Sequence, residues 1–156
     1  QSTVEDLPSH DVGPHDVVFC YGALNEFDAP DVALRVLADR CRDLLLLEAG
    51  VVAGSGANDD AIYPGTIDRD DLRASVTGRR SLPTRRWVFR TLQEHFAHVY
   101  VTRTQPVFDR FRLDWREAPA GRQQNRVIFV ASRSPLAGDA FAAEIPELQE
   151  YHLPRC

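Results

Sequence analysis

The 156-residue chain contains no lysine and no methionine, only three cysteines, and no apolar run approaching the roughly 20 residues of a membrane-spanning helix. No membrane association is therefore expected. All 18 basic residues are arginine, which reflects a GC-rich coding sequence rather than a function. Residue 1 is not methionine, and Gln1 to Pro14 holds no basic stretch followed by an apolar run, so the chain is expected to be a fragment that begins inside a reading frame, without a signal peptide. Cys20, Cys41 and Cys156 form no C-x-x-C pair, which excludes a disulfide framework and a cysteine zinc site and leaves a reducing cytoplasm as the expected compartment. Cys20 and Cys41 read as small buried residues, one in a strand and one in a helix. The five histidines never fall at a two-histidine helical ligand spacing, so no metal is expected. Acidic residues outnumber basic ones 23 to 18, and the net charge of -5 argues against a nucleic acid partner held by bulk electrostatics.

What is present is an ordinary globular composition, 44% hydrophobic and 26% charged. A chain of this length buries roughly 70% of its unfolded surface, enough for one core without staples. Asp16-Val-Val-Phe-Cys-Tyr, after the turn signal Gly13-Pro14, reads as a buried strand that stops at Gly22. From Ala29 or Pro30 to Arg42, the 3–4 spacing of Ala33, Leu34, Leu37, Ala38 and Cys41 predicts an amphipathic helix, with Asp31 in its first turn. Leu44 to Leu47, apolar throughout and ending at Glu48, reads as a strand covered on both faces, so the three elements form a parallel βαβ unit. Residues 49–82, rich in Gly, Asp, Ser and Ala, read as a long surface loop. Thr84 to Phe96 predicts a second helix, His98 to Thr102 and Val127 to Ala131 two further strands, and residues 137–156 a tail with one helical turn around Ala140 to Glu144.

Several local sequences agree with one family. Val4-Glu-Asp-Leu-Pro8 followed by His15-Asp-Val-Val-Phe-Cys-Tyr-Gly-Ala-Leu24 opens the series, and Pro83-Thr-Arg-Arg-Trp87, Val99-Tyr-Val101, Thr104-Gln-Pro106, Asp114-Trp115 and Phe129-Val-Ala-Ser-Arg133 continue it. In order and spacing, over about residues 3–136, the chain resembles the second half of the class I S-adenosylmethionine-dependent methyltransferases. It is closest in pattern to a bacterial subgroup whose sheet ends in an antiparallel strand. The resemblance implies an α/β, Rossmann-like, partial methyltransferase fold with a mixed sheet over residues 1–136, with S-adenosylmethionine lying across the carboxyl ends of the strands. It implies that Val4, Glu5 and Asp6 sit against the adenine, and that Cys20, Tyr21 and Gly22 pass the methionine part and the departing methyl group. Asn25 and Glu26 would then stand at the transfer point.

This chain departs from the family pattern in places. Thr3 stands where members carry an Asp, and Asn25-Glu26 where the subgroup more often has an aromatic residue and a histidine, so Glu26 is the available base. No Gly-rich first turn with a ribose-binding acid after the second strand is present, because Gly54-Ser-Gly56 opens no helix. Without its usual neighbour, the Val17 to Tyr21 strand is expected to present a bare apolar edge open to pairing. Arg79, Arg80, Arg85 and Arg86 form the main basic cluster, and Arg79, Arg80 and Arg85 could hold a phosphate or carboxylate on the acceptor, or simply form a solvated face. Trp87 reads as core and Trp115, in a polar linker, as an exposed aromatic platform for the acceptor. Glu48 points at the same cleft by topology or caps the following loop.

Two functions follow as expectations. One is the acceptor-side half of an S-adenosylmethionine-dependent methyltransferase acting on a small-molecule acceptor, a reaction that needs chiefly alignment and a dry pocket. The other is a non-catalytic interaction or scaffold module derived from the same fold. A hydrolase has little support, since no serine sits in a G-x-S-x-G elbow.

Overall fold

The computed structural model describes residues 13–53, 59–66, 79–116 and 123–152. In chain order these form β1 (His15–Tyr21), a single 3-10 turn (Leu24–Glu26), α1 (Pro30–Asp39), β2 (Cys41–Val52), β3 (Ile62–Thr66), β4 (Arg79–Pro83), α2 (Arg85–Gln93), β5 (His98–Thr102), β6 (Thr104–Gln105), β7 (Gln124–Ser132), β8 (Phe141–Ala142) and β9 (Glu150–Tyr151). Five strands make a mixed sheet in the order β1-β2-β7-β5-β8, and β3-β4 and β6-β9 pair separately. β1 and β2 run parallel, joined through α1, as the βαβ reading expects. β7 is antiparallel, as expected of the last long strand, but it stands between β2 and β5 instead of closing the sheet at an edge.

Helix α1 starts where Pro30 occupies the first turn, a position at which its missing N–H costs nothing. Its Ala33, Leu34, Leu37 and Ala38 are buried in one cluster with Cys20 of β1, Leu45, Leu47, Ala49 and Val51 of β2, Val88 and Leu92 of α2, Val99 and Val101 of β5, and Val127, Phe129 and Ala131 of β7. Alternate residues of each strand therefore share one face with both helices. Each fully buried Leu or Val contributes about 1.5–3 kcal/mol relative to exposure. Helix α2 is capped by Thr84, whose Oγ1 accepts from Trp87 N at 3.2 Å and donates to Asp59 O at 2.7 Å.

The structure corrects several sequence expectations. The first helix ends at Asp39, and Cys41 is the first residue of β2, facing His15 of β1. Cys41 is buried in either setting, so the 3–4 pattern alone did not separate the two. β1 is not buried on both faces: Val18 and Cys20 turn inward, whereas Val17, Phe19 and Tyr21 are exposed, the last two by 61% and 59%. β2 runs five residues past Leu47, and segments of the expected loop 49–82 pair as the antiparallel strands β3 and β4. No helical turn forms at Ala140 to Glu144; Phe141 and Ala142 add a short strand beside β5 instead. Gly54-Ser-Gly56 and Asp68 to Asp71 lie outside the described residues, as do Val4, Glu5 and Asp6.

On the opposite face of the sheet, Phe19, Leu46, Val130 and Tyr100 form a row across four strands, and Tyr21, Glu48 and Ile128 the next. One step further, Gly50 faces Arg126. Toward the carboxyl end of β1, then, this face changes from apolar to charged. Among the described residues, no helix is long and apolar enough to cross a membrane.

Candidate functional site

A cleft of about 180 Å3 opens where that charged face meets the 3-10 turn and β4, lined by Gly22, Asn25, Glu26, Glu48, Gly50, Arg80, Arg110, Gln124 and Arg126. It lies beside the carboxyl end of β1, where open α/β sheets take their ligands. Chain reversal after β1 needs Gly22, whose φ of +67° is in the left-handed region and whose N–H donates to Glu48 O at 3.0 Å. A side chain at Gly22 would stand 3.7 Å from Glu48 Oε2, so the backbone conformation, not space, demands glycine. Gly50 is required for the other reason. A Cβ there would lie 2.0 Å from Gln124 Nε2 and 3.0 Å from Asn25 Oδ1, because both amides fold over this bare stretch of β2.

Two ion pairs set the electrostatics. Arg80 Nη2 donates to Glu26 Oε1 at 2.7 Å, and Asn25 Nδ2 donates to the same oxygen at 2.5 Å. Ser81 Oγ donates to Phe27 O at 3.0 Å, which fastens β4 to the turn carrying these residues. Across the cleft, Arg126 Nη1 donates to Glu48 Oε2 at 2.8 Å. Glu48 is 8% exposed, and burial raises its carboxyl pKa above the ordinary value while the Arg126 charge and hydrogen bond oppose that rise. Arg110, at a φ of 70° unusual for a side-chain-bearing residue, completes the rim, and among the described residues no carboxylate pairs with it. Also among the described residues, no three His, Cys, Asp or Glu side chains come together to hold a metal.

Of the site residues expected from sequence, Gly22, Asn25, Glu26 and Arg80 converge on this cleft. Cys20 turns its thiol into the core, where burial pushes its pKa to about 11, so only its backbone borders the turn. Tyr21 stands exposed beside the cleft, its ring edge-on to Phe19 at 5.8 Å. The backbone of Arg79 is in β4, but its side chain lies outside the description. Arg85 and Trp115 meet each other rather than the cleft. Arg85 stacks over the Trp115 ring at 4.3 Å and donates to Pro146 O at 2.7 Å, and burial lowers its pKa to about 10. Trp115 is half-buried against the core, its indole N–H donating to Arg112 O and Gln149 Oε1, which corrects the reading of an exposed platform. Gly50, Arg110, Gln124 and Arg126 were not anticipated. They join the site only through the β2–β7 register and the bridge from Phe111 to Arg126.

No protein-family model and no curated protein sequence matches the chain. Two solved structures share its fold, both of the N-terminal domain of EvdMO1: one in the presence of SAH and D-fucose, the other with SAH bound. Each has a TM-score of 0.61 and 16% sequence identity over 84% of this chain. The chain spans about half of the solved structures it resembles, 52% and 51% of their lengths. It has a mixed α/β fold of the methyltransferase-like type, with its antiparallel strand inside the sheet.

Proposed function

We propose that the chain is the acceptor-side half of an S-adenosylmethionine-dependent methyltransferase. The observation that carries this reading is the convergence of Gly22, Asn25 and Glu26 on a polar cleft at the carboxyl end of β1, in a fold whose solved neighbours were crystallised with SAH, S-adenosylhomocysteine. The described residues fit one end of such a donor. Gly22 leaves its backbone bare for close approach. The cleft's 180 Å3 falls below the roughly 300 Å3 at which whole small-molecule sites begin, so the adenosine part needs further walls. The donor supplies a methyl group on sulfonium, which displacement passes to a nucleophile. The chain's own part is to orient the acceptor with Asn25 and Arg80 and to take its proton on Glu26. Glu26 pairs with Arg80 at 2.7 Å through Oε1, which leaves Oε2 to receive that proton. The D-fucose in one neighbour's crystals supports a small polar acceptor.

The remaining walls would come from chain that docks on β1. Among the described residues β1 stands at an edge of the sheet, and its exposed Val17, Phe19 and Tyr21 form an apolar face that docked chain would cover. That same surface favours the second reading, an interaction module that never binds the donor. Calorimetric titration of S-adenosylhomocysteine into this chain, and into the full product of its gene, separates the two. Binding to either supports the methyltransferase; absence of binding to both overturns it in favour of the module.

A further inference from the structure

Three buried polar atoms on residues lining the cleft have no hydrogen-bond partner among the described residues: Glu26 Oε2, Glu48 Oε1 and Arg80 Nε. Buried polar atoms in native chains are nearly always paired with protein groups, ordered water or a ligand, so these three mark where a ligand's polar groups can pair in place of water. Their chemistry is specific: two are acceptors and one is a donor. Each carboxylate already holds an arginine through its other oxygen, and Arg110 at the rim leaves the lining one positive charge in excess.

An ammonium group could donate to the two carboxylates, but it would leave Arg80 Nε unmatched and add a cation beside Arg80, Arg110 and Arg126. A carboxylate or phosphate could pair with Arg110 and accept from Arg80 Nε, but having no proton to give it would leave Glu26 Oε2 and Glu48 Oε1 without a donor. A hydroxyl both donates and accepts. The amides of Asn25 and Gln124, at the same wall, also offer a donor and an acceptor each. We propose that the cleft binds a neutral polyhydroxylated ring, a sugar-like acceptor whose hydroxyls donate to Glu26 Oε2 and Glu48 Oε1 and accept from Arg80 Nε. Calling this ligand the acceptor rests on the methyltransferase reading; its binding in the cleft does not.

The test uses three rings that differ chiefly in charge: D-glucose, D-glucosamine as its ammonium form, and D-glucuronate. Each is titrated into the isotopically labelled chain while backbone amide shifts are followed. D-glucose shifts the amides of Gly22, Asn25, Glu48 and Gly50. The charged rings bind about tenfold more weakly or worse, the effect of one unmatched buried polar group. Glu26→Gln and Glu48→Gln each replace an acceptor oxygen by a donor and weaken D-glucose by a similar factor. Glu26, the more exposed of the two, keeps the test open if the Glu48 variant does not fold. A charged ring that binds as well as D-glucose, or three rings that leave these amides unmoved, overturns the proposal. A parallel titration with S-adenosylhomocysteine separates the two ideas. Shifts with it alone refute the sugar site and keep the methyltransferase, whereas shifts with D-glucose alone keep the sugar site, and the methyltransferase falls if the full product of the gene also fails to bind S-adenosylhomocysteine.

Discussion

Replacing Arg126 by alanine removes the partner of a carboxylate that cannot reach water on its own. The side chain of Glu48 is 10% exposed and that of Arg126 37%, so the pair is lopsided: the arginine can turn to solvent and the glutamate cannot. In Arg126→Ala both influences that lower the Glu48 pKa, charge and hydrogen bond, disappear, and only burial remains to raise it. Taking up a proton then sets a ceiling on the cost. Measured from an ordinary value of 4.5, keeping the native carboxyl protonated costs at most about 3.4 kcal/mol at pH 7 and about 0.8 kcal/mol at pH 5. A carboxyl whose native pKa is raised contributes fully below its unfolded value, and that stability is lost as pH rises through the native one. Urea denaturation should therefore show Arg126→Ala destabilised by about 2–3 kcal/mol at pH 7, with most of the loss recovered at pH 5. Glu48→Gln, which leaves only the half-exposed arginine unpaired, should cost about 1 kcal/mol at either pH. An Arg126→Ala penalty that is equal at the two pH values, or that grows toward pH 5, would refute the assignment of Glu48 as a buried, arginine-held carboxylate.

Three other expectations follow from the same structure. Gly50→Ala should displace the Gln124 amide from the wall of the cleft, at about 1 kcal/mol in thermal unfolding because a side-chain tip can move, and should abolish ligand-induced shifts at Asn25. Thr84→Ala removes the cap of α2 and its bond to the Asp59 carbonyl, so it should cost about 1–2 kcal/mol in denaturant titration. The Cys20 thiol, buried and with its pKa near 11, should resist iodoacetamide at pH 8 in the folded chain and react once urea unfolds it; rapid labelling in the native state would contradict its place in the core.

The elements legible in the sequence are those whose apolar residues repeat over a long enough window. Ala33, Leu34, Leu37 and Ala38 mark α1, and Val99, Val101, Val127 and Phe129 mark two central strands, because each set is buried in one core. β3 and β4 escaped notice since Ile62-Tyr-Pro-Gly-Thr66 and Arg79-Arg-Ser-Leu-Pro83 hold prolines and lack alternation, and their pairing joins segments distant in sequence. The candidate site divides in the same way. Gly22, Asn25 and Glu26 follow directly on β1, so their place at its carboxyl end could be read from local order. Arg126 and Gln124 reach the cleft only because β7 runs antiparallel to β2 in a register that sets Arg126 opposite Gly50 and Gln124 opposite Val52, and nothing local in residues 124–126 announces that. Gly50 was the available signal: a glycine two residues past Glu48, inside an otherwise apolar strand, marks a close approach of other groups. Arg85 shows the converse error. Grouped with Arg79, Arg80 and Arg86 by sequence, it is drawn out of that cluster by the Trp115 ring and the Pro146 carbonyl.

The proposed function requires that the methyl donor meet its acceptor in the cleft beside β1. Amide-shift mapping of S-adenosylhomocysteine on the labelled chain addresses that most directly, since it locates even weak binding. Donor binding there should give shifts centred on Tyr21, Gly22 and Asn25 and reaching Glu48, with α2 and the β5–β8 edge unmoved; no shift at those residues in this chain or in the full product of its gene, or shifts centred elsewhere, would contradict that placement.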